Sequence, residues 1–321
     1  MMDTVIIDGL AFALPLFIIG IGGIYSERSG ITNLALEGLL GFGAFIGAMV
    51  ITILTSKGSA MSGDRLFFIA LLFSIIGGGL YAMLHGLLCV RFKANQVISG
   101  VVINILATAL TTFFTSQLNA SLFGKPSNKL QLGVCSKFTV PGLSNIPIIG
   151  AVFKDVYLFI PMIIVVAVIA WYVLYKSRFG LRIRACGDNP HAVDAAGVNV
   201  GRVRFIAVMI SGALAGMGGI CFAYSISASY SPSIYAGYGY LAIAALIFGN
   251  WRIMPTLGAC LLFGFARAGG YKLAQILELP SAYTDLIMIL PYLLTLLLLV
   301  FFSGSNRAPR ALGEIYDKGK R

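Results

Sequence analysis

The sequence predicts an all-α, polytopic membrane protein with about nine crossings. Three observations carry this: 58% of the 321 residues are hydrophobic, 11% are charged, and the mean hydropathy is +0.91. Soluble domains carry roughly a quarter of their residues as charges. A bilayer core needs about 20 consecutive apolar residues per helix, and such windows recur along the chain.

The crossings are expected, in order, at 5–24, 34–54, 66–90, 97–116, 156–175, 205–226, 234–248, 254–271 and 283–302. Asp3 and Asp8 stand at the front of the first run and no basic stretch leads it, so a cleaved signal peptide is not expected. The segments between runs are too short to bury a core of their own, so 1–321 reads as a single transmembrane domain.

The net charge of +11 is spread between apolar runs. Nucleic-acid binding concentrates basic residues on a soluble face instead, so no nucleic-acid partner is expected and the positive-inside rule applies. Lys176, Arg178, Arg182, Arg184, Arg202 and Arg204, against Asp188 and Asp194, place the loop at about 176–204 in the cytoplasm. Arg307, Arg310, Lys318, Lys320 and Arg321 place the tail there too, and an even number of crossings separates the two. Arg91 and Lys93 then lie inside. The loop at about 117–155 lies outside despite four lysines, as does the N-terminus.

Cys89, Cys135, Cys186, Cys221 and Cys260 are scattered and read as packing residues; with His85 and His191 they give no metal-ligand spacing, and no metal is expected. Gly124-Lys125-Pro126-Ser127 lacks the upstream glycine and the following helix of a phosphate-binding loop. Whatever energises this chain is expected to reside in another polypeptide.

Five constellations stand out. The first is the polar, glycine-rich stretch 22–38. A charge at membrane depth costs a few kcal/mol on the gentlest scale and so faces a cavity or a partner; Asn33 and Glu37 are expected on one helical face turned to the interior. The plainer alternative is a cytoplasmic turn at Glu27 and Arg28, with Glu37 snorkelling to the interface. In the second, Asn95 caps a helix, while Asn104 sits deeper and needs an interhelical partner or a solute. The third, 223–240, contains Ser227, Tyr230 and Tyr238 and leads into a short apolar run. Interrupted segments at corresponding places mark transporter sites, and the odd offset from the first constellation suggests an inverted repeat; an outer aromatic belt explains the tyrosines equally well. The fourth, Gly212 to Gly219, is a small-residue packing face.

The fifth lies in the basic loop. Asp188 or Asn189 is expected to cap a short helix with Pro190 at its first position, Ala192 to Ala196 within it and Gly197 ending it. Small side chains on such a helix let a partner protein approach closely; a plain solvated helix is the alternative.

At these residues the chain resembles the permease family of ABC importers that serves simple sugars, nucleosides and, more distantly, branched-chain amino acids. The resemblance covers most of the chain. It is strongest at Ser26-Glu27-Arg28-Ser29-Gly30 with Asn33, Glu37 and Gly38, at 95–100 with Asn104, and at 181–192 with Gly197. The first element is most similar to the shorter of two paired permeases in bacterial nucleoside importers fed by a basic membrane lipoprotein.

The resemblance implies a multi-pass permease of the bacterial plasma (inner) membrane that translocates without catalysis. It implies no cofactor in this chain, ATP and Mg being bound by a partner ABC ATPase docked on Gly187, Asp188, Asn189, Ala192, Ala196 and Gly197. A second, paralogous permease, an extracytoplasmic lipoprotein, membrane lipid and a small-molecule solute complete the expected partners. The solute pathway is expected at Asn33, Glu37, Asn95, Asn104, Ser227, Tyr230 and Tyr238, with a nucleoside as solute and a sugar as the alternative. A stand-alone secondary transporter or channel would need intramembrane coupling charges, chiefly Glu37, Arg267 and Asp285. A membrane enzyme would need clustered His, Asp or Glu, which the sequence does not present.

Overall fold

A computed structural model describes residues 2–58, 61–145, 149–278, 280, 289–302 and 307–318. The helices are α1 (Met2–Arg28), α2 (Leu36–Ser56), α3 (Gly63–Gly86, prolonged by a π turn at Leu87–Arg91), α4 (Gln96–Phe123), α5 (Phe159–Lys176), α6 (Arg178–Asp188), α7 (Pro190–Ala195), α8 (Val200–Ile226), α9 (Tyr238–Phe248), α10 (Ile253–Ile276) and α11 (Leu290–Phe302). Strands are limited among the described residues to two antiparallel pairs, β1 (Leu130–Gln131) with β4 (Ser229–Tyr230), and β2 (Lys137–Phe138) with β3 (Val156–Tyr157).

The all-α, polytopic expectation holds, while the count of nine crossings is not confirmed: 7 helices among the described residues (α1 to α5, α8 and α10) are long and apolar enough to cross a membrane. The run at 234–248 yields only α9, with 11 residues. At 1.5 Å per residue that is about 16 Å, half of a hydrocarbon core of about 30 Å. The ninth run is described only from 289, where α11 begins a residue later; Asp285 lies outside the described residues.

Several boundaries also move, and the basic loop gains a helix. Helix α8 starts at Val200 rather than 205, because Asn199 caps it and accepts from the Arg202 N–H at 2.9 Å. Helix α4 continues past 116 to Phe123 and stops at Gly124, whose φ of 71° is left-handed. Asn119, in its last turns, donates to the Ser127 and Lys129 carbonyls and folds the outer loop back on the helix. In the basic loop, 178–188 is itself a helix, α6, capped by Ser177 accepting from the Gly180 N–H at 3.0 Å.

Helix α8 lies at the centre, against α1, α2 and α3. Its small-residue face is what allows this: a Cβ on Gly212 would overlap the Gly78 carbonyl, and one on Gly216 would overlap the Ser74 carbonyl. One end of the bundle gathers the loops expected in the cytoplasm. The Ala311 N–H donates to the Gly187 carbonyl at 2.7 Å, and Lys93 pairs with Asp317 at 2.9 Å. The opposite end gathers the 124–158 loop and the start of α1, with Lys154 3.9 Å from Asp3. Loops that the charge pattern assigns to the same side thus share one end of the bundle, and the two ends are named cytoplasmic and outer from that pattern.

Candidate functional site

After α1 the chain does not turn directly into the next crossing. Residues 29–35 are non-helical and buried, save for the half-buried Thr32 and Leu34, and climb from the cytoplasmic end back into the bundle. Non-helical backbone at membrane depth requires every polar group to be satisfied within the protein, and side chains supply the partners here. Gln96 Oε1 accepts from the Thr32 N–H at 2.7 Å, Glu27 accepts from the Asn33 N–H at 3.4 Å, and Asn104 Nδ2 donates to the Leu34 carbonyl at 2.8 Å. His85 meets the Thr32 carbonyl at 3.3 Å. Asn33 Nδ2 donates to Ser211 Oγ at 2.7 Å, about 16 Å along α8 from its start.

A second segment approaches from the opposite side. Beyond α8, residues 227–237 turn back from the outer end and reach the same interior level, where α9 begins. Tyr230 is buried and donates to the Gly41 carbonyl at 3.3 Å; its ring centroid lies 5.7 Å from that of Tyr235. The two segments meet at Glu37, in the first turn of α2, whose carboxylate accepts from the Gly237 and Gly239 N–H groups at 2.6 Å each. These are the open N–H groups at the start of α9. Glu37 thus sits at two helix N-termini, where the macrodipoles favour negative charge.

The structure separates the predicted site residues into groups. Asn33 and Glu37 do not share a helical face, because α2 starts only at Leu36; they act on different neighbours. Asn104 belongs with Glu37: its Oδ1 accepts from the Gly38 N–H at 2.7 Å and its Nδ2 also donates to Tyr240 Oη at 3.0 Å. Glu37, Asn104 and Tyr240 line an open cavity of about 670 Å³ walled by α4 through Ile105, Thr108, Thr112 and Phe113. Tyr240 and Phe113 were not singled out from the sequence; an aromatic directly after the glycine-flanked start of a half-length helix was the available signal for the former.

The other candidates lie elsewhere. Asn95 is exposed at the cytoplasmic end and uses its side chain as the α4 cap, accepting from Val97 and Ile98 at 3.0 and 3.1 Å. Ser227 is exposed at the outer end and donates to the Ser229 carbonyl at 3.0 Å. Tyr238 packs on Phe12 and Phe222, its hydroxyl accepting from Arg267 at 3.4 Å.

At the cytoplasmic end Asn189, not Asp188, caps α7, accepting from the Ala192 N–H at 3.0 Å with Pro190 at the first helical position. Asp188 closes α6. Gly197, with φ of 78°, ends the motif as expected. Ala192 and Ala196 are exposed, and a groove of about 720 Å³ runs between α6 and α7 past Arg182, Asp188, Asn189 and both alanines. Gly187 is not exposed with them; it lies against the Arg28 carbonyl, which leaves no room for a Cβ. Beside it, burial pushes the Cys186 thiol up to about 11, so this cysteine is a packing group and not a nucleophile.

Long apolar helices, two interior helix starts butted at one carboxylate, and a capped helix standing clear between basic flanks together define a membrane transport permease. Residues 5–299 match the family described as the branched-chain amino acid transport system, permease component, and the chain belongs to that family. It is therefore an integral membrane protein of the ABC permease type. It is 38% identical over 316 residues to the guanosine ABC transporter permease protein NupQ of Bacillus subtilis, covering 97% of this chain and 96% of that one. It is 38% identical over 325 residues to the nucleoside ABC transporter permease protein NupC of Lactococcus lactis, covering 99% and 98%. To the guanosine ABC transporter permease protein NupP of B. subtilis it is 27% identical over 314 residues, covering 95% and 82%. No solved structure matches.

Proposed function

We propose that this chain is the shorter of two paralogous permeases in an ATP-driven nucleoside importer of the plasma membrane. The carrying observation is the meeting of the two interrupted segments at Glu37, beside a cavity that combines hydrogen-bonding groups with aromatic rings. Sites of a few hundred Å³ with few, well-placed polar groups suit small solutes. The remaining lone pairs of the Glu37 carboxylate and the Tyr240 hydroxyl, which Asn104 orients, match sugar hydroxyls, and the Phe113 and Tyr240 rings offer faces on which a nucleobase stacks. The cavity opens on the exposed face of α4, where Ile105 and Phe113 are 65% and 57% accessible, so a second permease against that face would close it. The near-full-length similarity to nucleoside permeases supports this solute class. Pairing with a longer paralogue is supported by greater identity to NupQ than to NupP and by fuller coverage of NupQ.

In this reading ATP and Mg are held by a separate ATPase that grips α7, and closure of its two halves pushes α6 and α7 against the ends of α1 and α8. A lipoprotein delivers the solute from outside. The test is reconstitution of the chain with ATPase, second permease and lipoprotein in vesicles. ATP-dependent nucleoside uptake is expected, with sugars competing weakly. Uptake by the purified chain alone without ATP, or preference for free sugars, would reject the proposal. Ala192→Trp on the exposed side of α7 should reduce uptake at least tenfold while the complex still hydrolyses ATP; Gly197 is a poorer probe, since its positive φ adds backbone strain to any side chain.

A further inference from the structure

We propose that the chain carries a specific anionic phospholipid site at its cytoplasmic rim, between α1, α5 and α10. An apolar groove of about 380 Å³ runs there, walled by Phe17 of α1, Ile163, Val168 and Trp171 of α5, and Met254 and Leu257 of α10. The Ile163 to Trp171 wall extends about 12 Å along α5, from mid-bundle towards the cytoplasmic end, a shape that takes a stretch of acyl chain.

What distinguishes this groove from ordinary lipid-facing surface is its cytoplasmic end. Trp171 lies tilted at 51° to Tyr175 with ring centroids 6.1 Å apart, and Tyr175 Oη accepts from the Ile253 N–H at 3.3 Å, joining α5 to the start of α10. Around this junction stand Arg28 at the end of α1, Arg184 of α6 over the Tyr175 ring at 5.7 Å, and Arg252 immediately before α10. Arg184, Arg252 and Asp188 all lie within electrostatic reach of Arg28. Among the described residues none of the three arginines makes an ion pair, although Arg28 Nε donates to the Trp251 carbonyl at 3.0 Å. Three guanidinium groups, from α1, from α6 and from the residue that leads into α10, therefore gather near one carboxylate.

Like charges gathered in this way repel one another, and an anion among them relieves the repulsion. Basic pockets between membrane helices on the cytoplasmic side bind acidic lipid head groups. A phosphodiester held by Arg184 and Arg252, with its chain in the groove below, satisfies both halves of the surface. A soluble anion would leave the apolar half uncovered.

The chain contains 2 tryptophans, which permits a direct test. Trp171 lines the groove, whereas Trp251 is buried and bonded to Glu27. The full chain is placed in phosphatidylcholine vesicles containing a small fixed fraction of phosphatidylglycerol or phosphatidylcholine brominated on the acyl chain. The Trp171 signal is the fluorescence difference from Trp171→Phe. At equal fraction, brominated phosphatidylglycerol should quench that signal several-fold more than brominated phosphatidylcholine. The preference should fall to parity in Arg184→Gln/Arg252→Gln, and by about half in Arg252→Gln alone, whose exposed side chain makes it a mild change. Equal quenching by the two lipids in the unaltered chain overturns the proposal, as does a preference that survives the double substitution. Protection of Trp171 from both lipids also overturns it and assigns the groove to a second protein chain.

Discussion

The two non-helical segments that enter the bundle, 29–35 from the cytoplasmic end and 227–237 from the outer end, solve the same problem in different ways. The first is tied down by side chains from several helices: Gln96 and Asn104 of α4, His85 of α3, Ser211 of α8 and Glu27 of α1. The second satisfies itself largely through local turns, Ile234 N to Ser231 O at 3.1 Å and Ala236 N to Ser233 O at 3.4 Å, and through the short β1·β4 pair with the outer loop. Its polar attachments to the helix bundle include Tyr230 to the Gly41 carbonyl and to the Thr111 side chain of α4, and the two N–H groups held by Glu37. Backbone strain also favours the first as the fixed frame, since Ala228 in the second has φ of 50°. The outer segment is thus conditional on few contacts, which suits a part that rearranges when solute or a binding protein arrives. Under the proposed function, the inner one is the seat on which it would rearrange.

The largest break in this contrast comes at Glu37. Glu37→Ala leaves the Gly237 and Gly239 N–H groups without their acceptor at membrane depth, where each unsatisfied group costs about 1–3 kcal/mol. Taking about 3 kcal/mol in all, ATP-driven uptake should fall by about 100-fold. Amide hydrogen exchange should accelerate across 229–239 but not across 31–35. Equal acceleration in both segments would remove the distinction. Glu37→Gln, which retains one acceptor oxygen, should fall between that variant and the natural chain.

Asn104 sits on the inner side of the same junction, and its removal is expected to cost less. Asn104→Leu deprives the Gly38 N–H and the Leu34 carbonyl of partners but leaves the Glu37 clasp intact. A loss of about 2 kcal/mol, or roughly 30-fold in uptake, is expected. Faster exchange should now appear at 31–38 first. If 229–239 loosened first instead, the inner segment would not be the frame.

Much of this arrangement was legible in the sequence because it rests on local chemistry. The caps at Asn95 and Asn189, the stop at Gly197 and the small-residue face of α8 follow from residue types at fixed spacings. The gathering of the basic loops at one end of the bundle follows from where lysine and arginine fall. What was not legible depends on pairing across long separations. The distance in sequence from Glu37 to Gly237 hides the fact that α2 and α9 are both short of their expected starts, because apolar composition continues through 234–237 whether or not the backbone is helical. For the same reason Asn33 reads as helical from its neighbours, although it precedes α2 and pairs with Ser211. Tyr240 and Phe113 become site residues only once α4 and α9 face each other.

The smallest expected effect lies deepest in the inner segment. Ser211→Ala removes the acceptor of the Asn33 amide, but Asn33 is fully buried and its main chain remains held by Glu27. An orphaned buried donor costs about 1–3 kcal/mol, and because the Asn33 main chain stays held the low end, about 1 kcal/mol, applies, so the loss in uptake should stay near fivefold, with the exchange pattern of both segments unchanged. The neighbouring glycines sharpen this expectation, because Gly22 of α1 packs directly on the Ser211 carbonyl and fixes the local backbone irrespective of the hydroxyl. A loss from Ser211→Ala as large as that from Glu37→Ala would mean that the inner segment hangs on one contact, as the outer one does, and the two would no longer differ in kind.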